Sequence, residues 1–133
     1  FDMESSFSTD QVYQRLENFG EAGRQSYKSF TYTSDFIFPL SFFIFLFFLS
    51  KFVGERSKLN LCYRRILFTI PIMWLAFDLV ENAMIYNLLS TYPDKNLFLM
   101  TALAPITTAK YTLLLASIIL PIITFLAFRN EPK

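Results

Sequence analysis

Histidine is absent from this sequence. Without an imidazole there is no His-ligated haem, none of the usual His-containing zinc sites, and no triad built on an imidazole base. A single cysteine, Cys62, leaves no internal disulfide and no redox pair. Three glycines form no phosphate-binding loop. Charge is scarce as well: charged residues make up 17% of 133, and the net charge of +1 offers no footprint for nucleic acid. Carboxylate, lysine, tyrosine and hydroxyl groups are the chemistry that remains, and neither a cofactor nor a metal site is expected.

What is present is apolar. Hydrophobic residues make up 53% of the chain and aromatic ones 19%, with 17 phenylalanines. A soluble chain of this size could not cover so much apolar surface with so few polar side chains. The charges fall into hydrophilic pieces separated by nearly uncharged runs. The expectation is an all-α integral membrane protein: three transmembrane helices plus an N-terminal amphipathic helix, the first part being residues 1–34 and the bundle 35–133.

Residues 1–34 contain no apolar run of the signal-peptide kind. Ser8, Thr9, Asp10 and Gln11 read as a capping box. Val12, Leu16, Phe19, Gly23, Tyr27 and Phe30 follow at helical spacing, while Arg15, Glu17, Glu21, Arg24 and Gln25 fall mostly on the other side. This helix is expected along the membrane surface or against the bundle, with a kink or close contact near Gly20 and Gly23.

The first span is expected at about 36–53. Eighteen residues at 1.5 Å give roughly 27 Å, just enough for the hydrocarbon layer. Asp35 is placed to cap it, and Pro39 falls in its first turn, where a missing N–H costs least. Its Phe stripe suits lipid contact and helix packing. Gly54 is expected to break the helix before a basic connection. A second span follows at about 66–89, with Pro71 in its second turn, then a short loop around Tyr92-Pro93-Asp94. The third span, at about 97–128, is longer than one crossing needs, and a tilt, a kink at Pro105 or Pro121, or protrusion of one end would absorb the excess.

Basic residues set the expected orientation. Lys51, Arg56, Lys58, Arg64 and Arg65 surround the 54–65 connection, and Arg129 and Lys133 lie in the C-terminal tail. Lys95 alone occupies the 90–96 loop, with Arg24 and Lys28 in the N-terminal segment. The positive-inside rule puts the 54–65 loop and the C-terminus on the cytoplasmic, matrix or stromal side. The N-terminal helix lies opposite.

Chemistry is concentrated in the second and third spans. Asp78, Glu81 and Asn82 share a helical face close to the middle of the second span, and a carboxylate facing lipid costs several kcal/mol even on lenient scales. That face must therefore point inward. Lys110, near the middle of the third span, is the natural counterpart, because a short loop makes the two spans antiparallel neighbours. Asn82, Tyr86, Asn87, Thr107 and Tyr111 are the expected hydrogen-bond partners. Two acids against one lysine leave a charge to be met by a proton or by another cation.

Three functions compete for this cluster. It can be a polar clamp that fixes helix register in a structural or accessory subunit of a membrane assembly. It can be the site of a small oligomeric proton- or cation-coupled transporter or channel. It can serve an intramembrane lipid-modifying enzyme, with Glu81 or Asp78 as general acid or base and Lys110 stabilising an anion. No nucleophile motif supports the last, so the non-enzymatic accessory subunit is the first choice. Its expected partners are membrane lipids and either other membrane subunits or further copies of itself.

Other features carry less. Tyr27, Tyr32 and Tyr92 suit interfacial anchors. Trp74 reads as packing, and Thr107, Thr108, Ala116 and Ser117 offer small-residue faces for helix contact. Arg64 and Arg65, with Arg56 and Lys58, act as topology signals or bind anionic headgroups. Cys62 beside them is an inert thiol or a palmitoylation site.

Overall fold

The computed structural model describes residues 9–57 and 59–128, with the side chains at 9, 28 and 30–34 excepted. Ser8, Lys58, Arg129 and Lys133, and the side chains of Lys28, Phe30 and Tyr32, lie outside the described residues. Four helices make up the described chain: α1 (Thr9–Asn18), α2 (Gly20–Arg56), α3 (Leu61–Thr91) and α4 (Leu97–Phe128).

The amphipathic N-terminal segment forms two helices rather than one. Gly20 has φ +61, a conformation that costs an L-residue about 1 kcal/mol, and it separates α1 from α2. Val12 and Leu16 of α1 are fully buried against Met84, Ile85, Leu88 and Leu89 of α3 and Met100 and Leu103 of α4. This apolar cluster closes the end of the bundle near the α3–α4 loop. Rings and cations lock the same end. Tyr13 stacks on Tyr92 at 5.6 Å, Arg24 lies 4.0 Å over the Tyr92 ring, and Lys95 lies 4.1 Å over that of Tyr13. Arg24 also donates to the Leu16 carbonyl at 2.9 Å, bridging the α1–α2 break.

From Gly20, α2 continues for 37 residues. The change of composition at 34/35 is therefore not a change of backbone, and two expectations are corrected. Asp35 does not cap a helix, because the helix begins fifteen positions earlier. Nor is Pro39 in a first turn; it lies well inside α2, where its ring removes a main-chain hydrogen bond.

Gly54 likewise does not end the helix, which runs on to Arg56. It is buried, and a Cβ there would meet Arg64 Cγ at 3.5 Å and Phe68 Cζ at 3.6 Å. Its function is close approach of α2 to α3, a second use of glycine in helices. The turn comes at Ser57, whose extended backbone leaves its N–H on the Val53 carbonyl. α3 then starts earlier than expected, because Asn60 caps it by accepting the Tyr63 N–H at 2.8 Å. α4 begins at Leu97 as expected, with Asn96 Oδ1 accepting from Leu99 N at 3.2 Å.

Segments Asp35–Arg56, Leu61–Thr91 and Leu97–Phe128 are each long and apolar enough to cross a membrane. α3 packs most extensively on α4, and next on α2. Tyr63 meets Thr124 at 3.0 Å at one end of the α3–α4 pair, and Lys110 meets Asp78 further along, so the two helices are antiparallel. Rings interleave α2 with α3: Phe42 meets Trp74 edge-on at 5.7 Å, and Phe47 meets Phe68 at 5.8 Å.

Candidate functional site

Helical spacing puts Asp78, Glu81 and Asn82 on one side of α3, and that side faces its neighbours. Asp78 is 6% exposed, Glu81 1% and Lys110 5%. Lys110 Nζ lies 3.4 Å from Asp78 Oδ1 and also pairs with Glu81 Oε2. Thr107, one turn before Lys110 on α4, donates its hydroxyl to Glu81 Oε1. The buried charges are thus joined in one network across the α3–α4 contact. Such a network is strongly destabilised by loss of one member, because the partner is then left charged and unpaired in a poorly hydrated place.

A third helix enters through its main chain. Asn82 Nδ2 donates to Asp78 Oδ2 at 3.2 Å and to the carbonyl of Asp35 at 3.0 Å. In an α-helix the carbonyl of residue 35 accepts from the N–H of residue 39, and residue 39 is proline. Asn82 therefore supplies the donor that Pro39 lacks, and does so while holding Asp78. The bond also sets the level of the network. Asp35 is where the apolar run of α2 begins, so the network stands at one end of that run although it is near the middle of α3.

The remaining expected partners are placed differently. The Tyr111 ring lies 5.2 Å from Lys110 Nζ. Tyr86 and Asn87 are exposed on α3 and line a groove of about 490 Å³ together with Asp35, Phe36, Leu79 and Ala83. A smaller pocket of about 170 Å³ adjoins it through Asp35 and Asn82, and reaches Asp78, Lys110, Trp74 and Tyr111. Trp74, read from sequence as packing, is both packing and pocket wall. Its indole is 3% exposed, and its N–H has no acceptor among the described residues.

Asp35 and Trp74 are the members of this site that sequence reasoning missed as such. Pro39 held the signal for Asp35, since an internal proline implies a carbonyl in search of a donor. Trp74 had a fainter one, four residues before Asp78 on the same face.

The basic groups expected to orient the chain lie away from this site. Arg56 stacks over Phe52 at 5.1 Å, Arg64 packs by its stem on Gly54, and Arg65 and Cys62 are exposed. Among the described residues no group of three or more Cys, Asp or Glu side chains is arranged to hold a metal ion. Comparison of the chain with protein-family models, with curated proteins and with solved structures finds no match.

Proposed function

We propose that this chain is an integral membrane protein of three crossings, serving as a non-enzymatic accessory subunit in a membrane assembly, with the carboxylate–lysine network as an internal clamp. The observation that carries this reading is the pairing within the chain: Lys110 is engaged by Asp78 and Glu81, and Glu81 also by Thr107. Groups paired in this way favour a fixed register over turnover. The apolar windows of the three spans bury only 22, 28 and 17% of their residues inside the chain. Their outer faces are thus left to lipid and to neighbouring subunits or copies. The basic connection near 54–65 faces the cytoplasm, matrix or stroma, and α1 the opposite side.

Solubilisation in a mild detergent tests the subunit reading. The chain should elute in a defined complex or homo-oligomer, and Lys110→Met should disassemble or destabilise it. A stable monomer that recovers no partner would contradict this reading.

A second reading, a small oligomeric proton- or cation-coupled transporter, is favoured by a specific observation. Acids outnumber the lysine, and the network borders a pocket that opens through the larger groove. Under that reading Glu81→Gln leaves assembly intact but abolishes a pH-dependent flux in liposomes. Unchanged flux would sink it.

A further inference from the structure

α2 touches α4 far less than α3 touches either, so a seam stays open between the two outer helices. Near the end of α2 the seam becomes a groove of about 200 Å³. Leu49, Phe52 and Val53 form one wall, and Ile122, Phe125 and Leu126 the other. Among the described residues no polar side chain lines it. Phe52, Ile122 and Leu126 are 49, 47 and 59% exposed, so the described chain leaves the groove uncovered. Its walls come within 6.5 Å of each other at the Phe52 and Phe125 rings. A partner helix needs about 10–12 Å with its side chains. The groove therefore suits a single hydrocarbon chain, held by van der Waals contact.

Charge at the mouth of the groove says which hydrocarbon chain. Arg56, the last residue of both α2 and its apolar segment, holds its guanidinium 5.1 Å over the ring of Phe52, one of the groove walls. The neighbouring acid, Glu55, is 4.0 Å from Lys51. Among the described residues no carboxylate pairs with Arg56, or with Arg64 and Arg65 at the same end of the bundle. The face of the Arg56 guanidinium lies on a ring, while the N–H donors at its edge suit the oxygens of a phosphate.

We propose that this groove is a binding site for an anionic phospholipid, with one acyl chain between α2 and α4 and the phosphate on Arg56. Apolar packing alone accepts any lipid tail, so selection for negative charge comes from Arg56. The proposal rests on the membrane part of the reading above and not on the accessory-subunit part. A chain that stays monodisperse without detergent fails the membrane reading. The groove is tested separately, in micelles.

The full chain, purified in dodecyl maltoside and stripped of lipid, is titrated with phosphatidylglycerol or with phosphatidylcholine of the same acyl chains. Native mass spectrometry counts the lipid retained. Phosphatidylglycerol should saturate at one per chain, at a concentration about fivefold or more below that of phosphatidylcholine, the effect of one basic group near an anionic headgroup. Arg56→Gln should erase this preference. Arg65→Gln removes the same charge from α3, which contributes no residue to the groove, and should keep it. Ile122→Trp fills the groove and should weaken retention of both lipids. Ile123→Trp, at a neighbouring position that is 55% exposed and outside the lining, should not. Circular dichroism checks that all four variants keep the fold.

Equal retention of the two lipids by the wild type would overturn the proposal. So would a preference that survives Arg56→Gln, or one lost equally in Arg65→Gln, which would mean diffuse attraction to the basic end. Ile122→Trp and Ile123→Trp proteins that retain lipid alike would show that no chain occupies the groove.

Discussion

Asn82 on α3 donates its side-chain amide to the main-chain carbonyl of Asp35 on α2, at 3.0 Å, the carbonyl that Pro39 cannot serve. One proline thus creates an acceptor on α2, and one asparagine uses it to tie α2 to the Asp78 carboxylate. A defect in one helix becomes a contact between two.

This relationship predicts a coupling. Asn82→Ala should destabilise the protein by about 1–2 kcal/mol, since it strands a partly buried carbonyl and removes a donor from Asp78. In a Pro39→Ala background residue 39 can serve the carbonyl itself, so the same substitution should cost less. Equal costs in the two backgrounds, by chemical denaturation in micelles, would show that the proline and the asparagine act independently.

Gly20 predicts a purely local effect. A Cβ at this position meets nothing within 4 Å, so crowding is not at issue. With φ at +61, Gly20→Ala should still lower stability by about 1 kcal/mol. Its structural consequence should be confined to α1, read as faster hydrogen exchange at Val12 and Leu16 than in α3 and α4. A uniform increase through the whole bundle would count against α1 being a separate closing element.

Gly54 predicts a size threshold. An added methyl group would make ordinary contact with Arg64 and Phe68, so Gly54→Ala should be tolerated. Gly54→Leu should overpack the α2–α3 contact and cost about 1–3 kcal/mol. Equal tolerance of alanine and leucine in thermal melts would argue against close approach as the function of this glycine.

At the other end, the side-chain hydrogen bond with Tyr13 is the main cause that raises Tyr92 above the ordinary 10.0 of a phenol, with burial adding to it and Arg24 opposing. A raised pKa means that the folded form holds the proton more tightly than the unfolded one. The stabilisation is therefore complete below about pH 10, and is lost as pH rises through the folded-state value. Tyr13→Phe should move the ionisation of Tyr92, followed by ultraviolet absorbance, to lower pH. An unchanged titration curve would mean that the two rings stack without sharing a proton.

The parts of this molecule legible in sequence are those that depend on composition over long windows. Runs of Phe, Leu and Ile between hydrophilic pieces mark three long helices, and the short Tyr92–Asn96 connection makes α3 and α4 neighbours. Asp78, Glu81 and Lys110 could be paired because a charge among apolar residues needs a partner, and the length of the lysine side chain forgives error in register. Helix ends were less legible. A polar stretch at 20–34 looks like a separate element, yet backbone hydrogen bonding continues through a change of polarity when nothing breaks it. Gly54 looks like a breaker because sequence does not distinguish a glycine that ends a helix from one that admits a neighbour. The Asp35–Asn82 contact had no side-chain pattern to betray it, since the acceptor belongs to the main chain.

The most direct test of the account is the coupling between Glu81 and Lys110. Lys110→Met should cost about 3–5 kcal/mol, because it leaves Asp78 and Glu81 buried without their cation. The double variant Lys110→Met, Glu81→Gln removes one of those stranded charges, and should be more stable than Lys110→Met alone. Thermal unfolding of the wild type, both single variants and the double variant in one detergent gives the coupling. The clamp predicts this partial rescue. Strictly additive losses, or a Lys110→Met protein as stable as the wild type, would contradict it.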